Sequence, residues 1–304
     1  MQLGMIGLGK MGGNMARRLR QAGIEVVGFN RDASATQALA AECGLLPAES
    51  TEELVAMLHA PRLVWLMLPA GEITESYVQQ MRELLQPGDI LIDGANSYYK
   101  DSMRRGELLA NSGIRFVDAG VSGGVWGLEN GYALMVGAAD EAFAKVRPLI
   151  EVLAPAVDRG WVHTGPLGSG HFVKMIHNGI EYGMMQAYAE GFALMKGRDD
   201  FGLDLAEIAE SWRHGSVVRS WLLDLSADVL ANDQQLAGVE PFVADSGEGR
   251  WTALEGIEQG IPTPVMSLAL MARFASQGQQ DFSSKLLAMM RNQFGGHAIR
   301  SASE

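Results

Sequence analysis

Cysteine is almost missing from this chain: of 304 residues only Cys43 carries a thiol. That excludes an intramolecular disulfide and a thiolate metal cluster, and it fits a reducing compartment. Positive charge is scarce too. With 24 Lys and Arg against 36 Asp and Glu the net charge is −12, which argues against nonspecific nucleic-acid binding. An anionic ligand would need a local basic cluster working against the overall field. No apolar stretch approaches the length of a membrane span, and no basic region precedes the apolar run at residues 1–7. The expectation is a cytoplasmic protein that engages neither membrane nor nucleic acid, with no metal site. Internal repeats and low-complexity segments are lacking as well, and the Ser/Ala-rich residues 301–304 read as a frayed end. What remains is an ordinary globular composition, 47% hydrophobic and 20% charged, long enough for two domains.

The first half alternates short apolar runs with polar-faced helical segments. Residues 3–6, 25–29, 63–68, 90–93 and 115–117 read as buried strands, punctuated by turns such as Gln86-Pro87-Gly88-Asp89 and Asn111-Ser112-Gly113. Strands alternating with helices predict an α/β fold with a doubly wound parallel sheet. After about Gly165 the strand pattern stops, and 181–196, 205–212, 221–230 and 264–274 read as helices. The boundary falls near residue 165, giving domains 1–165 and 166–304, the second all helical.

Gly7-Leu8-Gly9-Lys10-Met11-Gly12 follows the first strand and opens a helix. The glycines permit a tight turn and close approach of a pyrophosphate, and the helix amino terminus attracts its charge. The motif in this setting predicts a Rossmann-type dinucleotide site. At the end of the second strand Asn30 replaces the usual ribose-binding carboxylate, and Arg31 could hold a 2′-phosphate; Asp32 would repel one. The cofactor reads as NADP or NAD, leaning slightly to NADP.

The richest segment is 165–182. At about 100° per residue, with Lys174 at zero, His177 falls near −60°, Asn178 near +40°, Glu181 near −20° and Tyr182 near +80°. Phe172, Val173, Ile176, Ile180 and Gly183 fall opposite, between about 160° and 260°. The pattern predicts a helix with a buried apolar back and a reactive polar front. A solvated amphipathic face would need no His, Asn and Tyr beside its Lys/Glu pair.

Two strand ends carry further candidates. Asp118-Ala119-Gly120-Val121-Ser122-Gly123-Gly124 offers backbone N–H groups and a hydroxyl suited to a carboxylate, and Asp93-Gly94-Ala95-Asn96-Ser97 places Asn96 where it could orient substrate and nicotinamide. Farther on, Arg250 in Gly249-Arg250-Trp251-Thr252, then Arg273, Arg291 and His297 supply basic groups in an acidic chain. Several arginines converging on one group could grip a phosphate bidentately.

Together His171-Phe172-Val173-Lys174-Met175-Ile176-His177-Asn178-Gly179-Ile180-Glu181-Tyr182-Gly183, Val121-Ser122-Gly123-Gly124, the Asn96 segment and Gly249-Arg250-Trp251-Thr252 resemble, in order, the motifs of the 6-phosphogluconate dehydrogenases. These belong to the β-hydroxyacid dehydrogenase superfamily, whose other members share Ser-Gly-Gly and the lysine but usually not His177 and Glu181. The resemblance spans nearly the whole chain. It implies metal-free oxidative decarboxylation of 6-phosphogluconate to ribulose 5-phosphate and carbon dioxide, a reaction of the pentose phosphate pathway. On its terms Lys174 is the base at the C3 hydroxyl and Glu181 the acid that protonates C1 of the enediol. Ser122, Gly123 and Gly124 bind the carboxylate, Asn96, His177 and Asn178 the hydroxyls, and Tyr182, Arg250, Thr252 and Arg273 the phosphate. Arg291 and His297 match tail residues that reach the neighbouring subunit's site, which implies a homodimer or higher even oligomer.

The chain departs from that pattern in three ways. It lacks the second helical half of the long members and resembles the short, mainly bacterial form. The cofactor loop at Leu68-Pro69-Ala70 has no basic residue, and Arg250 stands where the family has a phosphate-binding lysine. Two alternatives share the motifs: a non-decarboxylating β-hydroxyacid dehydrogenase acting on a small unphosphorylated acid, and a dinucleotide-binding interaction module without catalysis. The arginine set argues against the first, and retention of both Lys174 and Glu181 against the second.

Overall fold

The computed structural model describes residues 1–278, 281–295 and 298. Eight strands form one sheet: β1 (Gln2–Ile6), β2 (Glu25–Phe29), β3 (Leu46–Pro47), β4 (Leu63–Leu66), β5 (Ile90–Asp93), β6 (Arg115–Ser122), β7 (Ala133–Gly137) and β8 (Trp161–Gly165). Their order is β3-β2-β1-β4-β5-β6-β7-β8. Helices α1 (Lys10–Gln21), α2 (Ala33–Cys43), α3 (Thr51–Met57), α4 (Glu72–Leu84), α5 (Tyr99–Ala110), α6 (Gly127–Asn130) and α7 (Asp140–Leu153) alternate with them. Then follow α8 (Ser169–Lys196), α9 (Leu205–Trp212), α10 (Trp221–Asn232), α11 (Glu248–Gln259), α12 (Pro264–Ser276) and α13 (Asp281–Gly295). The chain folds as two compact units, Met1–His177 and Asn178–Glu304, which divide within α8.

The sheet core follows from strand periodicity. Along β4, Leu63 and Trp65 enter one hydrophobic cluster while Val64 and Leu66 enter a second, as alternation across a strand buried on both faces requires. Cap residues set where the helices begin. Asp32 caps α2 through Ser34, Ser50 caps α3 through the Glu53 amide, and Ser220 caps α10 through the Leu223 amide. In the second unit a smaller cluster of Leu205, Ala209, Ala227 and Leu230 joins α9 to α10.

Three features correct the sequence reading. The sheet is not wholly parallel, because β7 runs antiparallel to β6. The connection at 123–132 is shorter than the dozen or so residues that a parallel crossover usually needs. Pairing with β7 also extends β6 past residue 117 to Ser122, whereas β4 stops at Leu66, so that Leu68 and Pro69 lie in the turn beyond it. The third concerns α8. Its polar side is the buried one, with Lys174 6%, Asn178 8% and Tyr182 5% exposed, whereas on the apolar side Val173 and Ile180 are 36% and 52% exposed. Lys174, Asn178 and Tyr182 of the polar front thus pack inward, whereas the back is covered only in part, with Phe172 and Ile176 half-buried and Val173 and Ile180 exposed.

Candidate active site

In the first unit the turn from β1 into α1 is built for close approach. Gly7 adopts φ +93°, and a side chain there would run into the Met67 carbonyl. Gly9 is the N-cap of α1, supplies no side-chain cap, and a Cβ on it would meet open space. The first-turn amides at Lys10, Met11 and Gly12 therefore sit at an uncapped helix terminus with room in front of it. That is a suitable cradle for a dinucleotide pyrophosphate. Asn30 is committed to the same turn: its Oδ1 accepts from the Leu8 amide at 3.1 Å and its Nδ2 donates to the Asp32 carbonyl at 3.2 Å. Asp32 Oδ1 accepts from the Ser34 hydroxyl at 2.7 Å and the Ser34 amide at 3.0 Å. Those bonds lower its pKa, the hydroxyl contributing most. Arg31 between them is exposed, and on the β4 side the Pro69 carbonyl accepts from the Thr74 hydroxyl at 2.8 Å.

The loop after β5 is braced from beneath. Asp93, fully buried, accepts from the Ala95 amide at 3.0 Å, the Ser97 hydroxyl at 2.8 Å and Arg105 at 3.0 Å. Arg105 on α5 is 1% exposed and also pairs with Glu75 at 2.9 Å. Asn96 stands exposed on top of this network. Glu75 also takes Arg104 at 2.7 Å, and that bond above all holds its carboxyl at about 2. The spacing of Ser102, Arg105 and Leu109 on one helical face was the available signal for a buried arginine, although Arg104 beside it looks identical in sequence.

Helix α8 is set on β6 by Asp118. Its two oxygens accept from the Gly168 and His171 amides at 2.7 Å each, and burial raises its pKa. Gly120, two residues along β6, gives Lys174 its place, since a Cβ there would collide with the lysine's own Cβ. At the end of β6 the Ser122 hydroxyl lies 3.5 Å from His177 Nε2, and Gly123 and Gly124 follow at φ +132° and +54°. The Asn14 amide ties α1 to this loop through the Val125 carbonyl at 3.0 Å. Lys174, His177 and the Ser122 end of β6 thus share one site within the first unit.

In the second unit a separate group forms around Tyr182. Its hydroxyl lies 3.3 Å from the Ser246 hydroxyl, and the Arg273 guanidinium stacks over its ring at 3.4 Å from the centroid. Arg273 also donates to the Ala244 carbonyl at 2.9 Å. Arg250 pairs with Asp245 and stacks on Phe274 at 4.5 Å. Thr252, 1% exposed, donates to the Glu248 carbonyl at 2.9 Å, and its methyl packs where a Cβ on Gly179 would stand. Asn178 and Glu181 lie on the α8 portion of this unit. Arg291 is exposed on α13, whereas His297 lies outside the described residues. Among the described residues no group of three or more His, Cys, Asp and Glu could hold a metal ion, and no helix is long and apolar enough to cross a membrane.

Residues 2–163 match the NAD binding domain of 6-phosphogluconate dehydrogenase, and residues 170–296 match the 6-phosphogluconate dehydrogenase C-terminal domain. A Bacillus subtilis protein with a provisional 6-phosphogluconate dehydrogenase name is 41% identical over 298 residues, 98% of this chain and 99% of its own. The NAD+-dependent, decarboxylating 6-phosphogluconate dehydrogenase of Haloferax volcanii is 41% identical over 301 residues, 98% of each chain. Among solved structures, the 6-phosphogluconate dehydrogenase of Plasmodium falciparum, determined in apo form, with NADP+ and with 6-phosphogluconate, is 30% identical. It superimposes with a TM-score of 0.84 over 100% of this chain and 67% of that one.

Proposed function

The chain belongs to the 6-phosphogluconate dehydrogenase family of oxidoreductases, and on that premise we propose that it converts 6-phospho-D-gluconate to D-ribulose 5-phosphate and carbon dioxide while reducing NAD+ or NADP+. The observation that carries the proposal is the placement of Lys174, buried against Gly120 and close to the Ser122-Gly123-Gly124 strand end, on the same helix that bears Glu181 two turns later. A dehydrogenase that only oxidises an alcohol needs the lysine; one that also loses carbon dioxide needs a second proton donor.

When bound, the nicotinamide supplies the hydride acceptor. Lys174, neutral at the start, removes the proton of the C3 hydroxyl as the C3 hydride departs, leaving a 3-keto acid. Ser122 and the amides of Gly123 and Gly124 hold the carboxylate until the C1–C2 bond breaks and carbon dioxide leaves. Lys174 returns its proton to the C3 oxygen as the enediol forms, then takes it back as Glu181 protonates the carbon that becomes C1, which leaves the C2 ketone of the product. Asn96, His177 and Asn178 orient the hydroxyls, and Tyr182, Thr252, Arg250 and Arg273 receive the phosphate. Arg250 must exchange its Asp245 partner for that phosphate, a like-for-like replacement of one anion by another. Residues 1–165 serve as the cofactor domain and 166–304 as the substrate and dimerisation domain.

The exposed Ile180, Ile257, Val265, Leu268 and Phe282 support a homodimer, in which large apolar side chains of this kind would be covered. Arg291, and His297 from the tail, then complete the partner's site. Absorbance at 340 nm tests the assignment, with 6-phosphogluconate, unphosphorylated gluconate and a small 3-hydroxy acid compared for both cofactors. The proposal expects a strong preference for the phosphorylated substrate. Turnover of the small acid alone would favour the non-decarboxylating alternative, and no reduction of either cofactor would sink both.

A further inference from the structure

Of the arginines among the described residues only Arg105 is buried, at 1% exposure, and no step of the reaction as proposed uses it. Taking a guanidinium out of water is costly, and a buried ion pair is often no more stabilising than apolar side chains of the same volume. Stability of the fold is therefore a weak reason for an arginine here. Its bonds suggest another. Nε donates to Glu75, in the first turn of α4, at 2.9 Å, and Nη1 donates to Asp93 at 3.0 Å and to the Ser97 hydroxyl at 3.1 Å, on the two sides of the loop after β5. Nη2 lies 3.5 Å from the carbonyl of Gly71, the N-cap of α4.

Asn96 stands between these anchors. Ala95 and Ser97 are 3% and 4% exposed, and Asp93 holds both, accepting from the Ala95 amide at 3.0 Å and the Ser97 hydroxyl at 2.8 Å. Asn96 is the exposed residue of the three, so its backbone is pinned on both sides while its side chain stays open to a ligand. The loop after β4 is fastened to the same α4 turn, since the Glu75 amide donates to the Gly71 carbonyl at 3.0 Å and the Thr74 hydroxyl to the Pro69 carbonyl at 2.8 Å. One planar guanidinium thus ties the loops after β4 and β5 together. Helix α5, which carries it, is itself closely seated: a Cβ on Gly106 would collide with the Leu167 side chain, and Ser102 meets His171 Nδ1 at 2.7 Å. A lysine at 105 would keep the charge, but its single nitrogen cannot reproduce a fork that serves Glu75 and Asp93 at once.

We propose that Arg105 is a positioning residue that acts through Asn96, locking the loop after β5 to the loop after β4 so that Asn96 meets substrate and nicotinamide in one arrangement. The kinetic consequence rests on the reading of Asn96 given above; the bracing of its loop does not. Misplacing such a group by about 1 Å can cost about a hundredfold in rate.

Arg105→Lys should lower kcat at saturating 6-phosphogluconate and cofactor about tenfold or more. In an Asn96→Ala background the same substitution should cost less than about twofold, because the group it positions is gone. Equal fold losses in both backgrounds would overturn the proposal, since a general loss of folded enzyme lowers either by the same factor. A second measurement needs no substrate. Amide hydrogen exchange across residues 94–97 should quicken about tenfold or more in Arg105→Lys while β1 and β6 keep their protection, and unaltered exchange in that loop would overturn the brace. Should Arg105→Lys fail to fold, Ser97→Ala removes only the hydroxyl between Asp93 and Arg105 and should show both effects at about threefold or more. Neither effect in that variant would overturn the proposal. An unaltered protein that leaves 6-phosphogluconate unconverted would contradict the proposed reaction and not the brace, which the exchange measurement decides.

Discussion

Lys174 combines a charge-bearing group with burial, and desolvation of the charged form is what makes a lysine available as a base near neutral pH. Lys174→Met should therefore lower kcat by about two orders of magnitude or more, with substrate affinity kept within a few-fold by equilibrium binding. Near-normal turnover would remove the lysine from its role. Arg273 touches a different property. It stacks on Tyr182 and donates to one backbone carbonyl, leaving donors for an incoming phosphate. Arg273→Ala should raise the KM for 6-phosphogluconate about tenfold or more while leaving that for the cofactor unchanged. Glu75 gives a pH prediction of known sign. Its folded-state pKa of about 2 lies below the ordinary glutamate value of 4.5, so its contribution is complete above the unfolded value and fades as the pH falls through about 2. Solvent screening reduces that contribution to the order of 1 kcal/mol. Glu75→Gln should lower the melting temperature at pH 7 and converge with the unaltered protein towards pH 2, which calorimetry across that range would check.

At the scale of the element, α8 shows what a sequence pattern can and cannot fix. That residues 172–182 form a helix with two chemically different sides follows from their spacing alone. Which side faces inward does not, because burial is decided by what packs on the helix. Here Asp118 and Gly120 on β6, and Thr252 and Gly249 on α11, receive the polar side. The glycine loop was legible because strand, turn and helix are consecutive in the chain. Arg105 and Ser102 were not, since their partners Asp93 and His171 lie 12 and 69 residues away. Strands β7 and β8 escaped notice for a similar reason: their pairing with β6 and each other supplies the order that their short runs do not encode. The close seat of α8 on β6 is testable. Gly120→Ala would push the Lys174 Cβ away, so about 1–3 kcal/mol of stability should be lost together with activity. Unchanged activity in that variant would mean that the lysine tolerates displacement.

For the molecule as a whole, Val173 and Ile180 on α8 and Ile257, Leu268 and Phe282 are large apolar side chains left exposed in the single chain, and a subunit contact would cover them. Sedimentation should find a dimer or a higher even oligomer at micromolar concentration. If Arg291 and His297 act on the partner's site, mixing an inactive Lys174→Met variant with an inactive His297→Ala variant should restore part of the activity through hybrid dimers. No recovery despite verified subunit exchange would place the tail in its own subunit's site or in none. The central claim is that this chain both oxidises and decarboxylates its substrate, with Lys174 and Glu181 dividing the proton transfers. The stoichiometry of carbon dioxide released from C1-labelled 6-phosphogluconate per nicotinamide reduced tests it most directly. One carbon dioxide for each reduced nicotinamide is the expected result, and reduction without release of the label would contradict a decarboxylating role.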